Sequence, residues 1–463
     1  MASNKRWMGC LAIGAALFCA PGPRAQARAD LGDLPGAPMM MLAGVRDLGA
    51  LAGLATASEP RVAAAARGLL RAAGPAGLAA FRDLHRDELA RAVTDLSPRT
   101  GAAAEVLSAL DELCAQKDCA ASQLYWYTDL EQAKAAARAS GRPIVSLRLL
   151  GDLREELSCA NSRFFRALLY PDPAVSAALR ERFVLHWQTE RPAPKITIDL
   201  GDGRRIEGTI TGNSAHYLLD SAGRPVDVLP GLMAPRQFLA ALQASELVAR
   251  EVAAQDAPTR AATLRSHHAA RLQAQANAWR QATAAIGQRD RGFEAPPRPG
   301  EPPRARAPRA GQAAMLAITK SAVEVPMLRG FGEPVDRLTN DEVWGQLGDR
   351  GAAQVELSPA SLALIARQQW RSGAVDQDAA DLALALAALR RTVATDGLYN
   401  EFGLHRRVHE WFVGEAADAL DLEALDRRVY GELFLTPRSD PWLGLAAPTI
   451  YSGLTGGGRQ ARI

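Results

Sequence analysis

Hydrophobic and polar positions between Pro143 and Gly231 switch repeatedly between strand-like and helix-like spacing. Residues 143–150, PIVSLRLL, form a short apolar run that predicts a buried strand. A helical pattern, DLEQAKAAARASG, precedes this run. A second helical pattern starts near Cys159 and leads into another predicted strand, FVLHWQTE. Two strands joined by a helical crossover favour parallel pairing in one sheet.

The pattern continues as β-structure after this crossover. The run HYLLDSAGRPVDVLPG predicts two antiparallel strands joined at residues 221–223, and APRQFLAALQASELVA predicts a closing helix. Residues 195–212 alternate apolar and polar side chains around Gly201-Asp202-Gly203, which predicts an additional β-hairpin. Upstream, the aromatic run LYWYT at 124–128 predicts an edge strand of the same sheet.

Helical spacing dominates both flanks of this region. Alanine and leucine repeat at helical intervals from Asp30 to about Ser122. Helices are again predicted after 313, where Ser358 and Asp421 are N-cap candidates. We predict the following division: a signal peptide over 1–27, a helical domain over 28–120, an α/β domain over 121–245, a helical extension over 246–290, a Pro/Arg-rich linker over 291–312 and a C-terminal helical domain over 313–463.

The segment Cys159-Ala160-Asn161-Ser162 gives the α/β region a specific resemblance. It opens a helix after a strand, and the spaced apolar residues Val175, Leu179, Phe183 and Val184 lead into the next strand. Over residues 121–245 the chain resembles the thioredoxin superfamily, particularly its secreted members. The resemblance implies a mixed α+β/α protein with a central thioredoxin-like α/β domain, an inserted β-hairpin and all-α domains on both sides.

Two positions depart from the pattern of that family. Ser162 stands where the family has its second, resolving cysteine. Residues 212–216, GNSAH, stand where the family has a cis-proline, and cis geometry is rare without proline. The resemblance implies that Cys159 is the family's thiol and that Asn213, Ser214 and Ala215 face whatever approaches it. His216 is either a base for Cys159 or a histidine that begins a strand.

The first 27 residues resemble a secretory signal. Lys5 and Arg6 form a basic start, Leu11–Ala20 is an apolar stretch too short to span a membrane, and Ala25-Gln26-Ala27 is a cleavage motif. Removing Lys5, Arg6 and Arg24 from the 54 basic residues would leave 51, equal to the 51 acidic residues. We therefore expect a periplasmic or secreted protein without a membrane span, and this charge balance does not favour nucleic acid as a partner.

Export changes how the five cysteines are interpreted. Cys10 and Cys19 would leave with the signal, and Cys114 and Cys119 are close enough to form a disulfide in an oxidising compartment. The alternative is two thiols at helical spacing that never meet. Cys159 would then be free, either as a reactive thiol at a helix start or as a buried, inert cysteine that packs like a small hydrophobic residue.

Glu401, His405 and His409 share one helical face because they are four residues apart. Such a set can hold a metal. The alternative is histidines at the surface or the edge of the core, and we predict no metal and no cofactor. His267 and His268 are adjacent and point to different sides of a helix, which argues against a shared metal ion.

Two functions are consistent with these features. The first is a binding or structural module in the cell envelope, with a protein partner. The alternative is a monothiol exchange protein that uses Cys159 to form mixed disulfides with partner proteins. We favour the binding or structural module because Ser162 and the GNSAH loop replace the features that drive the redox cycle of the family.

Overall fold

The computed structural model describes residues 45–94, 100–209, 212–287, 341–371, 379–414, 421–434 and 436–439. It shows a mixed α/β protein in which helices predominate. Two compact units divide the chain between Leu84 and His85. The predicted signal peptide and the predicted linker over 291–312 lie outside the described residues.

Three helices form the described part of the first unit: α1 (Leu48–Leu54), α2 (Pro60–Ala72) and α3 (Pro75–Leu84). Asp47 and Glu59 cap the first two by accepting backbone N–H groups through their carboxylates. Gly77 allows α3 to approach α2 closely, because a Cβ atom there would lie 2.0 Å from the Leu70 carbonyl oxygen.

The second unit is built on a five-stranded sheet, which consists of β1 (Trp126–Tyr127), β2 (Ile144–Leu150), β3 (Val184–Arg191), β6 (Ser214–Leu219) and β7 (Pro225–Pro230). The strand order is β1-β3-β2-β6-β7. Strands β1 and β2 pair in parallel with β3, whereas β6 pairs antiparallel with both β2 and β7. The predicted hairpin at 221–223 is therefore confirmed as the β6–β7 pair.

Helices precede and connect these strands: α4 (Arg86–Thr94), α5 (Gly101–Cys114), α6 (Leu130–Ser140), α7 (Ala160–Phe164) and α8 (Pro173–Arg182). One π-helical turn, Phe165–Leu169, continues α7. Asp129 and Asp172 begin α6 and α8 by accepting N–H groups of the first turn. The predicted additional hairpin is present as β4 (Lys195–Asp199) and β5 (Arg205–Thr209), which form a separate two-stranded sheet.

Further helices follow the sheet: α9 (Pro235–Val252), α10 (Ala257–Ala285), α11 (Asp341–Ala352), α12 (Pro359–Arg371), α13 (Ala379–Tyr399), α14 (Arg406–Gly414) and α15 (Leu422–Arg428). Asn400–His405 and Val429–Leu433 are π-helical turns. The predicted caps are confirmed, since Ser358 Oγ accepts the N–H of Ser361 and Asp421 accepts that of Ala424.

The edge strand β7 is covered by α10. Arg260 donates a hydrogen bond to the Pro225 carbonyl, and His268 donates one to the Val226 carbonyl at 2.9 Å. These contacts occupy backbone acceptors that an exposed edge would offer to another chain. One hydrophobic core extends from the sheet to the helices after residue 341, and it includes Leu147 and Phe412. Among the described helices, none combines the length and apolar character needed to cross a membrane.

Candidate functional site

Cys159 lies at the N-cap of α7 and is fully buried. Its sulfur is 2.8 Å from Oγ of Ser214, the first residue of β6, and 3.4 Å from Oγ of Ser162. The loop predicted to face the thiol therefore does contact it, through Ser214. The two hydroxyl groups give the sulfur a polar environment that is closed to solvent.

Ser162, which the sequence analysis placed at the position of a resolving cysteine, is also buried. Its hydroxyl oxygen lies 2.8 Å from the Cys159 carbonyl oxygen and 2.7 Å from Oγ of Ser158. These contacts tie the side chain to the first turn of its own helix. A serine hydroxyl cannot form a disulfide, so Ser162 acts here as a hydrogen-bonding group.

Asn213 is bound by the C-terminal part of the chain. Its side-chain amide donates to Thr436 Oγ1 at 2.9 Å and to the Phe434 carbonyl at 3.4 Å. Its own carbonyl accepts a hydrogen bond from the Tyr430 hydroxyl at 3.2 Å. Tyr430, Phe434 and Thr436 therefore lie against the loop that contains Asn213. Ala215, the third residue of that predicted surface, is buried within β6.

His216 is buried between aromatic rings. Its ring centroid lies 4.6 Å from that of Phe165 and 4.8 Å from that of Phe238. Nε2 pairs with the Tyr170 hydroxyl at 2.8 Å, and burial lowers the pKa of His216 to about 3. The imidazole is therefore neutral at pH 7. The described hydrogen bonds of the Cys159 sulfur go to Ser162 and Ser214, and none goes to His216.

Cys114 and Cys119 form a disulfide, as predicted, with 6.5 Å between their Cα atoms. The bond joins the end of α5 to the turn that follows it. Ala115, between them, has φ 54° in the left-handed region. Asp111 holds the same turn by accepting the N–H groups of Asp118 and Cys119.

Arg148 forms a buried ionic network that the sequence patterns did not indicate. It lies in the middle of β2 with no exposed side-chain surface. It donates to Glu190 of β3 at 3.1 Å and to Glu423 of α15 at 2.9 Å. The carboxylate of Asp426, also in α15, is buried nearby, and burial and Glu190 raise the pKa of Asp426. This network fixes α15 against the sheet.

A second buried network surrounds His405, which ends the π-helical turn before α14. Its Nε2 donates to Oδ1 of Asp227 at 3.0 Å, and its Nδ1 donates to Oε2 of Glu401 at 3.3 Å. Burial by itself lowers the pKa of His405, but the charge of Asp227 and the bonds to both carboxylates outweigh it, and the pKa rises to about 9. His405 is therefore a cation between two carboxylates at neutral pH.

His409 and His268 complete this cluster. Their Nδ1 atoms are 2.8 Å apart, and both rings are buried. One potential ligand atom from each of Asp227, His405 and His409 lies within 4.8 Å of the others, so these three residues could hold a metal ion. Sequence spacing grouped Glu401, His405 and His409 but missed Asp227 and His268. A charged residue inside the apolar strand run PVDVLP was the available signal for Asp227.

Comparisons of the chain with protein-family models, curated proteins and solved structures found no match.

Proposed function

We propose that the chain is an exported thioredoxin-like protein whose α/β region acts as a binding or structural module in the cell envelope. The strand order β1-β3-β2-β6-β7, with two parallel and two antiparallel pairs, supports the thioredoxin-like assignment. So does the contact between Cys159, at the start of a helix, and Ser214, at the start of β6. Fold alone does not establish redox chemistry.

The burial of the Cys159 thiol supports a binding or structural role over thiol exchange. Cys159 has no exposed surface, and the Asn213 side chain beside Ser214 is bound by Thr436 of the same chain. A partner disulfide must reach the sulfur in line before exchange can occur. In this arrangement Cys159 contributes packing and hydrogen bonding to the module, and a protein partner binds elsewhere on its surface.

Two features support export. Residues 1–27 carry the basic, apolar and small-residue pattern of a secretory signal. The Cys114–Cys119 disulfide suits an oxidising compartment such as the periplasm or the extracellular space. The proposed partner is accordingly a protein of the cell envelope.

Thiol labelling tests this proposal directly. The full chain with Cys10→Ser and Cys19→Ser, and with the Cys114–Cys119 disulfide intact, keeps Cys159 as its single free thiol. We expect the folded protein to react with a thiol reagent at pH 7 at least ~100-fold more slowly than in denaturant, because labelling requires local opening. Cys159→Ala in the same background is the control for unspecific labelling.

Partner capture distinguishes a binding or structural module from a monothiol exchange protein. We expect the same partners to be retained from envelope extract by the Cys159-containing chain and by its Cys159→Ala variant. Rapid labelling at neutral pH, together with mixed disulfides that are lost in Cys159→Ala, would overturn the proposal. In that case Ser162→Cys, which restores a resolving cysteine, should release the trapped partners.

A further inference from the structure

We propose that Asp227, His405 and His409 form a binding site for one Zn²⁺ ion, buried between the edge strand β7 and the helical segment 400–414. Two imidazoles and one carboxylate are ordinary zinc ligands. The three side chains come from two distant parts of the sequence, and all three are buried. Cys159 is not among the proposed ligands.

The spacing of the donor atoms suits a small cation. Nε2 of His405 is 3.0 Å from Oδ1 of Asp227. Neighbouring ligands around tetrahedral zinc, with bonds of about 2.0 Å, are separated by roughly 3.3 Å. One nitrogen of His409 lies within 4.8 Å of the ligand atoms of Asp227 and His405, so a modest side-chain rotation can bring all three residues to this spacing. Zinc then takes the place of the hydrogen that Nε2 of His405 shares with Asp227.

The hydrogen bonds of His268 leave a free lone pair on His409. Nε2 of His268 faces the Val226 carbonyl at 2.9 Å and must carry hydrogen, because a carbonyl oxygen only accepts. In the neutral ring Nδ1 of His268 is then the acceptor, and the hydrogen in the 2.8 Å contact belongs to Nδ1 of His409. Nε2 of His409 is therefore unprotonated. Among the described residues no hydrogen-bond partner reaches this buried atom.

An ionic network of these residues without a metal does not explain why Nε2 of His409 is buried without a partner. Buried polar atoms in native proteins nearly always have a partner, and an exception calls for an ion, a water molecule or a function. His268 holds the tautomer of His409 in the form that a metal requires. This matches the common arrangement in which the second ring nitrogen of a zinc-bound histidine is fixed by a hydrogen bond.

The other two ligands are held in the same way. Nδ1 of His405 donates to Glu401, which gives the carboxylate–histidine–metal sequence often found around zinc. Asp227 is oriented by the N–H of Val228 at 2.8 Å and by the hydroxyl of Ser245 at 3.0 Å. Each proposed ligand is thus fixed by a neighbour that does not itself bind the ion.

Zinc binding to the untagged full chain is the first test. After treatment with a chelator, the protein is titrated with Zn²⁺ against a chromophoric competitor, with long equilibration because the site is closed to solvent. We expect one Zn²⁺ per chain, bound with a dissociation constant below about 1 μM, as expected of a site with three oriented ligands. Absence of stoichiometric binding at 100 μM free Zn²⁺ overturns the proposal, whatever the variants do.

Variants of the proposed ligands then test whether zinc binds at these residues. Asp227→Asn and His409→Gln should weaken zinc binding at least 100-fold, and His268→Gln by about 10- to 100-fold because it acts only through His409. His186→Gln is the matched control: it changes a buried, hydrogen-bonded histidine of β3, which β2 and β6 separate from β7. Circular dichroism checks that each variant is folded. Unchanged affinity in folded Asp227→Asn or His409→Gln would exclude this site.

Discussion

The side-chain amide of Asn213 donates to the hydroxyl of Thr436, 223 residues further along the chain, at 2.9 Å. Both side chains are buried. This bond joins the loop beside the Cys159 thiol to the last described segment of the protein. We therefore expect access to that thiol to depend on a part of the chain remote from it in sequence.

Thr436→Val should weaken the contact between Thr436 and the loop that contains Asn213. The substitution removes the acceptor and leaves the Asn213 amide without its better hydrogen bond, which costs about 1–3 kcal/mol in a buried setting. We expect a lower free energy of unfolding and faster labelling of Cys159, measured on the chain with Cys10→Ser and Cys19→Ser. Thr436→Ser keeps the hydroxyl and should label like the parent chain. Equal labelling rates for the Val and Ser variants would show that this contact does not control access to the thiol.

Arg148→Met should be strongly destabilising. It removes the buried one of the two cations, Arg148 and Arg438, that pair with Glu190 and Asp426. The side chains of these two carboxylates are 1% and 0% exposed, and breaking a buried ion pair on one side costs about 3–5 kcal/mol. Glu423, whose side chain is 50% exposed, gives the matched comparison, and Glu423→Gln should cost less than about 1 kcal/mol. Urea unfolding measures both. If both variants lost a similar amount of unfolding free energy, the buried carboxylates would not be what makes Arg148→Met destabilising.

Two buried histidines, His216 and His186, should each contribute a fall in the free energy of unfolding as the pH drops below 6.5. Burial lowers the pKa of His216 to about 3, and burial with the Arg148 charge lowers that of His186 to about 3. The unfolded chain then binds more protons than the folded chain between pH 6.5 and 3, so protonation favours unfolding across that window.

The size of this effect follows from the same values. From pH 7 to pH 5 each histidine should remove about 2 kcal/mol of stability. Urea unfolding of the parent chain and of His216→Gln at both pH values measures the contribution of His216. The variant should lose about 2 kcal/mol less than the parent chain between the two pH values. An identical pH dependence would mean that His216 does not stay neutral in the folded protein.

Gly77→Ala should destabilise the first unit. The added Cβ would lie 2.0 Å from the Leu70 carbonyl oxygen, which belongs to the backbone and cannot rotate away. Overpacking of this kind costs typically about 1–3 kcal/mol. Gly53→Ala in α1 is the control, because its nearest contact would be the Leu84 side chain at 3.9 Å. Thermal unfolding of both variants measures their stability. A Gly77→Ala chain as stable as Gly53→Ala would show that α2 and α3 can move apart at little cost.

Local features of this protein were predictable from its sequence because their causes lie within a few residues. Apolar runs and turn residues defined β2 and the β6–β7 hairpin, and Ser358 and Asp421 identified two helix starts. The Cys114–Cys119 disulfide was predictable for the same reason, because its two cysteines are only five positions apart. Spacing also grouped His405 and His409 on one face, since helical geometry alone brings such residues together.

Tertiary structure decided which distant residues meet. Arg148 contacts Glu423 across 275 positions, Asp227 contacts His405 across 178, and His268 contacts His409 across 141. Periodicity assigns a side chain to the buried face of an element, but it does not say which other element packs there. The environment of Cys159 shows the same limit. The sequence placed the sulfur at a helix start, and only the folded chain brought Tyr430, Phe434 and Thr436 against the loop beside it. Burial and partners depend on packing between elements, and that packing sets the chemistry open to each group.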